Sequence, residues 1–135
     1  MDKSNLWRLS ATEIVKATTA GEIRSIDVVT SVIDRMRKIN PKLNAVVVDL
    51  SEQALKTAEH LDRDRENGKE CGPLHGVPIT IKINVDQKGH PTSNGVSALK
   101  DLIAPDDAPI VKNLKNAGAI IIGRTNTPEF SFRAD

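Results

Sequence analysis

The chain has very few aromatic residues and almost no cysteine. Tyrosine is absent, and the aromatic residues are Trp7, Phe130 and Phe132, all near the two ends of the 135-residue sequence. The core must therefore be aliphatic. A complete domain usually carries aromatic mass near its centre, so this distribution points to an incomplete fold. Cys71 is the single cysteine, which excludes an internal disulfide and fits a reducing, cytoplasmic setting. Charge of one sign is not in excess: 19 basic residues face 18 acidic ones, for a net +1. That balance argues against nucleic acid or an anionic membrane as partner. Long apolar runs are missing too. The longest, 45–48 and 119–122, are far too short to span a bilayer, and the N-terminus leads into no signal-type run. His60, His75, His90 and Cys71 lack metal-ligand spacing. Gly118 and Gly123 bracket a strand rather than forming a phosphate-binding loop. No metal site is expected.

The first half, 1–70, reads as mainly helical. Ser10 and Glu13 form a capping box before Ile14, Val15 and Ala17, and Gly21 can stop that helix. Ser25 is expected to cap the next helix, with Asp27 in its first turn. Val28, Val29, Val32, Ile33, Met36 and Ile39 make its apolar stripe, and Asn40-Pro41 is expected to end it. A brief strand follows at 45–48. A third helix, 52–67, turns Ala54, Leu55, Ala58 and Leu61 inward and closes at Gly68.

The second half, 71–135, is organised around the stretch 72–83. Val77, Ile79, Ile81 and Ile83 alternate with Pro78, Thr80 and Lys82, the period of a strand with one apolar face. Lys82 projects opposite the isoleucines. Periodicity alone leaves two readings: a solvated lysine on a half-buried strand, or a lysine facing a polar cleft. A polar loop, 84–95, and a short helical piece around 97–102 come next. Asp107 is expected to cap a helix with Pro109 in its first turn and Ile110, Val111, Leu114 and Ala117 inward, and Gly118 is its stop. The wholly apolar 119–122 reads as a strand inside a parallel sheet. Strand, helix and strand make a βαβ unit, expected to be right-handed. Ligands of such units sit beyond the carboxyl ends of the strands, where Lys82 and Arg124-Thr125-Asn126 fall. Two such strands are too small a sheet to stand alone, and the residues from Thr127 to Asp135 trail off without punctuation.

These pieces, in this order, resemble the N-terminal part of the amidase signature family. Gly72-Pro73-Leu74-His75-Gly76-Val77-Pro78-Ile79-Thr80-Ile81-Lys82 looks like its loop and lysine strand. Thr92-Ser93-Asn94-Gly95 resembles the polar turn that follows. The stretch 104–126 is similar to the helix and strand after that, and 40–45 to the join between the second helix and the first strand. The likeness runs from about Ser10 to Phe130. Thr125-Asn126-Thr127-Pro128-Glu129-Phe130 looks more like the general amidases than the transamidating enzymes of misacylated tRNA.

The resemblance implies an α/β fold: N-terminal helices followed by a βαβ unit of a larger mixed sheet flanked by helices. It implies that 1–135 is the N-terminal part of a single amidase-like domain. It implies hydrolysis of a carboxamide through a Ser–cis-Ser–Lys triad without metal or organic cofactor, with Lys82 as the triad lysine. A serine hydroxyl must lose its proton to attack an amide, and a lysine takes that proton only when neutral, a form that burial in a cleft favours. In the family both serines and the oxyanion loop lie in a Gly/Ser-rich stretch beyond the position matching Asp135. Ser93, Ser97 and Ser131 have no such context and read as turn or cap hydroxyls. The isolated chain is therefore expected to be inactive, and to pair with itself or with a C-terminal part. The contrasting expectation is a non-catalytic module that self-associates through an open sheet edge. Ile83 stands where the family commonly has aspartate, and Asp86 is a candidate substitute. Asn126 and Glu129 resemble positions near the cleft and are expected to fix the loop after the strand.

Overall fold

The computed structural model of the chain describes residues 3–132. A 3-10 turn at Lys3–Arg8 leads into four helices: α1 (Ala11–Ala20), α2 (Ser25–Leu43), α3 (Ser51–Glu66) and α4 (Pro109–Asn116). Three strands, β1 (Val46–Asp49), β2 (Pro78–Lys82) and β3 (Ile120–Thr125), form one sheet in the order β1-β3-β2. β2 runs parallel to β3 and β1 antiparallel to it, so the sheet is mixed. Met1, Asp2 and residues 133–135 lie outside the described residues; of the stretch 127–135 expected to trail off, Glu129–Ser131 instead forms a 3-10 turn.

α1 carries the expected capping box: the Glu13 N–H donates to Ser10 Oγ (3.3 Å) and the Ser10 N–H to Glu13 Oε2 (2.7 Å). α2 departs from expectation at both ends. Ser25 is its first helical residue, and the cap comes from α3. The buried Asp62 carboxylate accepts the N–H groups of Ser25 (2.7 Å) and Ile26 (3.0 Å). An acceptor from another helix satisfies the open N-terminal donors as well as a local hydroxyl does, and adds charge at the positive end of the dipole. At the other end Pro41 does not stop the helix, which continues to Leu43 and closes at Asn44 in the left-handed region (φ 51°). A proline in the last turn removes only its own N–H. Asn40, the residue before it, is held by its side chain, which donates to the Val46 carbonyl and accepts the Val46 N–H, both at 2.9 Å.

Val28 and Val29 are adjacent and both fully buried because α2 lies between two cores. Val28 packs with Leu6, Ile14, Ala17, Ile23 and Val77. Val29 packs with Ile33, Ala54, Ala58, Ile120 and Ile122. Each fully buried aliphatic side chain contributes about 1.5–3 kcal/mol, so this helix ties α1 and the 72–77 loop to α3 and the sheet. Trp7 stays outside the cores, with the guanidinium groups of Arg8 and Arg35 4.6 and 4.4 Å from its ring centre.

Two expectations for α4 are corrected. Asp107 does not cap it. Its carboxylate accepts the Lys88 N–H (2.8 Å) and pairs with Lys115 (2.6 Å), and the residue before the helix, Ala108, offers no side-chain cap. Ile110 is 60% exposed rather than inward; Val111 is the buried residue of this short helix. At about 100° per residue Ile110 stands about 100° around the helix from Val111 and about 40° beyond Leu114, at the margin of the apolar face. The helix ends before Gly118, whose φ of 91° suits glycine and whose missing side chain lets the His75 backbone come within 2.9 Å of where a Cβ would be. There the 72–77 loop is bonded to the turn before β3: Leu74 N–H to Ala117 O (2.8 Å) and Gly76 N–H to Gly118 O (3.1 Å).

Candidate active site

Lys82 is the last residue of β2 and is exposed, as is Thr80, while Ile81 and Ile83 are buried. The alternation in the sequence is thus the alternation of the strand. Lys82 lies opposite Thr125 and Ile81 opposite Arg124, and the Ile83 N–H donates to the Thr125 carbonyl (3.0 Å). The carboxyl ends of β2 and β3 therefore stand abreast. The two polar stretches that the sequence placed at strand ends, Lys82 and Arg124-Thr125-Asn126, are neighbours. Lys82 makes no side-chain hydrogen bond or ion pair among the described residues, unlike Lys56, Lys69 and Lys115, each held by a carboxylate.

Loops close over this end of the sheet. The Asn84 side chain donates to Ser131 Oγ (2.9 Å), and Ser131 and Thr127 share a hydroxyl–hydroxyl bond (3.1 Å). The Phe130 N–H donates to the Asn94 carbonyl (2.8 Å). Ser131 is thus a loop hydroxyl, as expected. Asn126 takes a positional part: its side chain accepts the Thr127 N–H (2.9 Å), and its own N–H donates to Ala45 O (2.9 Å). Ile83 is buried beside Ile81. The Asp86 carboxylate accepts from the Thr92 hydroxyl (2.6 Å) and lies near the Arg124 charge.

Arg124 is the residue whose importance sequence reading missed. Its side chain is fully buried and donates from Nη1 to the Pro91 carbonyl (2.7 Å) and from Nη2 to the Val85 carbonyl (2.8 Å). Burial pulls its pKa below the ordinary arginine value, and Asp86 partly opposes that. The signal was a charged residue in a strand that opens with three isoleucines. His75 is also buried, its pKa lowered by that burial, and its carbonyl accepts from the Thr18 hydroxyl (3.0 Å).

A hollow of about 530 Å³ opens elsewhere, between the first turn and α2, lined by Lys3, Trp7, Asp27, Asp34 and Arg35 among others. Its charges are mixed and it holds none of the strand-end residues. Size does not make it the chemical site; the strand ends, where ligands of parallel sheets gather, are the candidate. Among the described residues, no group of three or more His, Cys, Asp or Glu is placed to hold a metal ion. Nor, among them, is any helix long and apolar enough to cross a membrane.

The amidase family model matches residues 27–135. The chain belongs to the amidase family. It is 59% identical over 131 residues to an indoleacetamide hydrolase from Bradyrhizobium diazoefficiens, covering 97% of the chain and 25% of that protein. It is 38% identical over 132 residues to an acylamidase from Rhodococcus erythropolis, covering 98% of the chain and 28% of that protein. A glutamyl-tRNA(Gln) amidotransferase polypeptide from Carboxydothermus hydrogenoformans is 39% identical over 126 residues, covering 93% of the chain and 26% of that protein. Among solved structures the chain superposes on a bacterial aryl acylamidase of the amidase signature enzymes with a TM-score of 0.86 at 32% identity, covering 93% of the chain and 26% of the other. The fold is the mixed α/β fold of amidases, and the highest of these identities lies with a hydrolase rather than with the tRNA-dependent enzyme. The chain spans about a quarter of the length of the relatives it matches.

Proposed function

We propose that this amidase chain supplies the general base of a carboxamide hydrolase, and that the base is Lys82. The observation that carries the reading is the strand end. Alternation buries Ile81 and Ile83 and leaves the Lys82 side chain exposed on the other face, without a partner among the described residues, abreast of the end of β3. In the Ser–cis-Ser–Lys scheme implied by the resemblance, neutral Lys82 Nζ takes the nucleophile's proton through the bridging serine. The serine oxygen bonds to the amide carbon. The proton passes to the leaving nitrogen as the C–N bond breaks, and water then releases the acyl group. The oxyanion is held by backbone N–H groups of the Gly/Ser-rich loop. That loop and both serines match no stretch of this chain, so the 135-residue chain alone is inactive and forms the N-terminal part of one amidase domain. It works by pairing with the remaining part. β1 and β2 are the outer strands of the sheet, and Leu43 and Val47 beside and on β1 are 65% and 42% exposed. The same open edges favour self-association as the second reading, and light scattering of the purified chain separates it from a monomer. A cytoplasmic setting fits the single cysteine.

The test is a chimera in which this chain replaces the matching quarter of the Bradyrhizobium hydrolase. It is assayed for ammonia release from indoleacetamide, the amide in that relative's name. The chimera turns the amide over, and the chain alone does not. Lys82→Ala lowers kcat by about 10²–10⁴-fold, the range for a lost general base, with an unchanged melting point. Turnover retained in Lys82→Ala would remove the assignment.

A further inference from the structure

Arg124 is a poor choice for stability alone. A guanidinium taken fully out of water carries a large desolvation cost, offset best by a carboxylate. Among the described residues none forms an ion pair with it; its two hydrogen-bond partners are carbonyls, and its buried Nε has no partner at all. What those two bonds do is join distant parts of one loop. Val85 and Pro91 both lie in the segment that leaves β2, and Pro91 is bridged in turn to Ile103.

The bond to Val85 continues further. The Val85 N–H donates to the Lys82 carbonyl (3.0 Å). Two hydrogen bonds in series thus connect the Arg124 guanidinium to the Lys82 backbone, Nη2 to Val85 O and Val85 N–H to Lys82 O. On the sheet side Arg124 is already the cross-strand partner of Ile81, the residue before Lys82. The turn by which the chain departs Lys82 is therefore held from below by one buried side chain. A planar fork reaches both carbonyls at once, and a lysine, with a single nitrogen, holds one well.

We propose that Arg124 is a positioning residue for the reaction, setting the place of Lys82 through the carbonyls of Val85 and Pro91. This rests on the assignment of Lys82 as the base. Displacing a catalytic group by about 1 Å costs up to about a hundredfold in rate, and does so without weakening ground-state binding of the amide.

The experiment compares Arg124→Lys, Arg124→Met and Lys82→Ala in the chimera described above, with indoleacetamide as substrate. Arg124→Lys lowers kcat by about tenfold or more while KM stays within about twofold. Arg124→Met, which reaches neither carbonyl, loses more. Amide hydrogen exchange at 83–92 quickens in Arg124→Lys while the α2–α3 core keeps its protection. If Arg124→Met fails to fold, Arg124→Lys decides. A kcat within about twofold of the parent in folded Arg124→Lys overturns the proposal, as does a rise in KM at constant kcat, which would place Arg124 in substrate binding. Turnover persisting in Lys82→Ala defeats the base assignment and this proposal together. An inactive Lys82→Ala beside a fully active Arg124→Lys defeats only the positioning role.

Discussion

Replacing Gly123 with alanine tests how β1 is held against β3. Gly123 lies opposite Asp49 across the antiparallel pair. A Cβ there would sit 2.7 Å from Val46 Cγ1 and 2.9 Å from the Val48 carbonyl oxygen. The methyl can rotate away; the carbonyl is part of the ladder and cannot. Relief needs the strands to part by some tenths of an ångström. Overpacking of this kind costs about 1–3 kcal/mol, or about 4–12 °C of melting temperature for a chain of this size. Urea and thermal unfolding followed by Trp7 fluorescence and far-UV circular dichroism measure it, since Trp7 belongs to the first turn and not to the sheet. Val46→Ala removes one of the two obstacles, so the double variant is less destabilised than the sum of the singles by about 0.5 kcal/mol or more. Gly68→Ala is the control. Nothing lies within 4 Å of its Cβ position, but its φ is 78°, so it loses about 1 kcal/mol from backbone conformation alone. A Gly123→Ala chain that melts with the parent would refute the packing argument.

Asp62→Ala leaves the N–H groups of Ser25 and Ile26 without their acceptor and costs about 1.5–3 kcal/mol, the range for a hydrogen bond to a charged group. Asp62→Asn recovers part of it, and denaturant midpoints of the two variants show the order. His75 is buried with its pKa below the ordinary value of about 6.5, lowered first by desolvation and further by Arg65, with Asp62 and Asp64 acting in the opposite sense. Its folded pKa is below its unfolded one. Stability is therefore complete above about pH 6.5 and declines as pH falls through that value toward the folded pKa. His75→Gln flattens the pH dependence of the melting point between about pH 5 and 7; an equally steep slope in that variant would assign it elsewhere.

Much of the fold was legible because local signals agreed with tertiary need. The capping box at Ser10, the stripe from Val28 to Ile39 and the alternation from Val77 to Ile83 each have a period that only one element satisfies. The misreadings share a cause. The nearest backbone misleads at Ser25, Pro41 and Asp107: Asp62 comes to Ser25 from 37 residues away, Val46 comes to the Asn40 side chain beside Pro41, and Lys88 and Lys115 take Asp107. From its neighbours Arg124 is a strand-end polar residue and nothing more, since no local pattern shows that the carbonyls of Val85 and Pro91 await it.

Element types, the strand face on which Lys82 stands and the kinship of the chain could be read before any coordinates, because these depend on periodicities and motifs within about 20 or 30 residues. Tertiary structure alone decided that β1 joins β3 as a third strand, that Asp62 caps α2, and that Arg124 lies buried two hydrogen bonds from Lys82. Each is a pairing across tens of residues. A side chain's partner there depends on how whole elements pack, and the neighbouring residues carry no record of it.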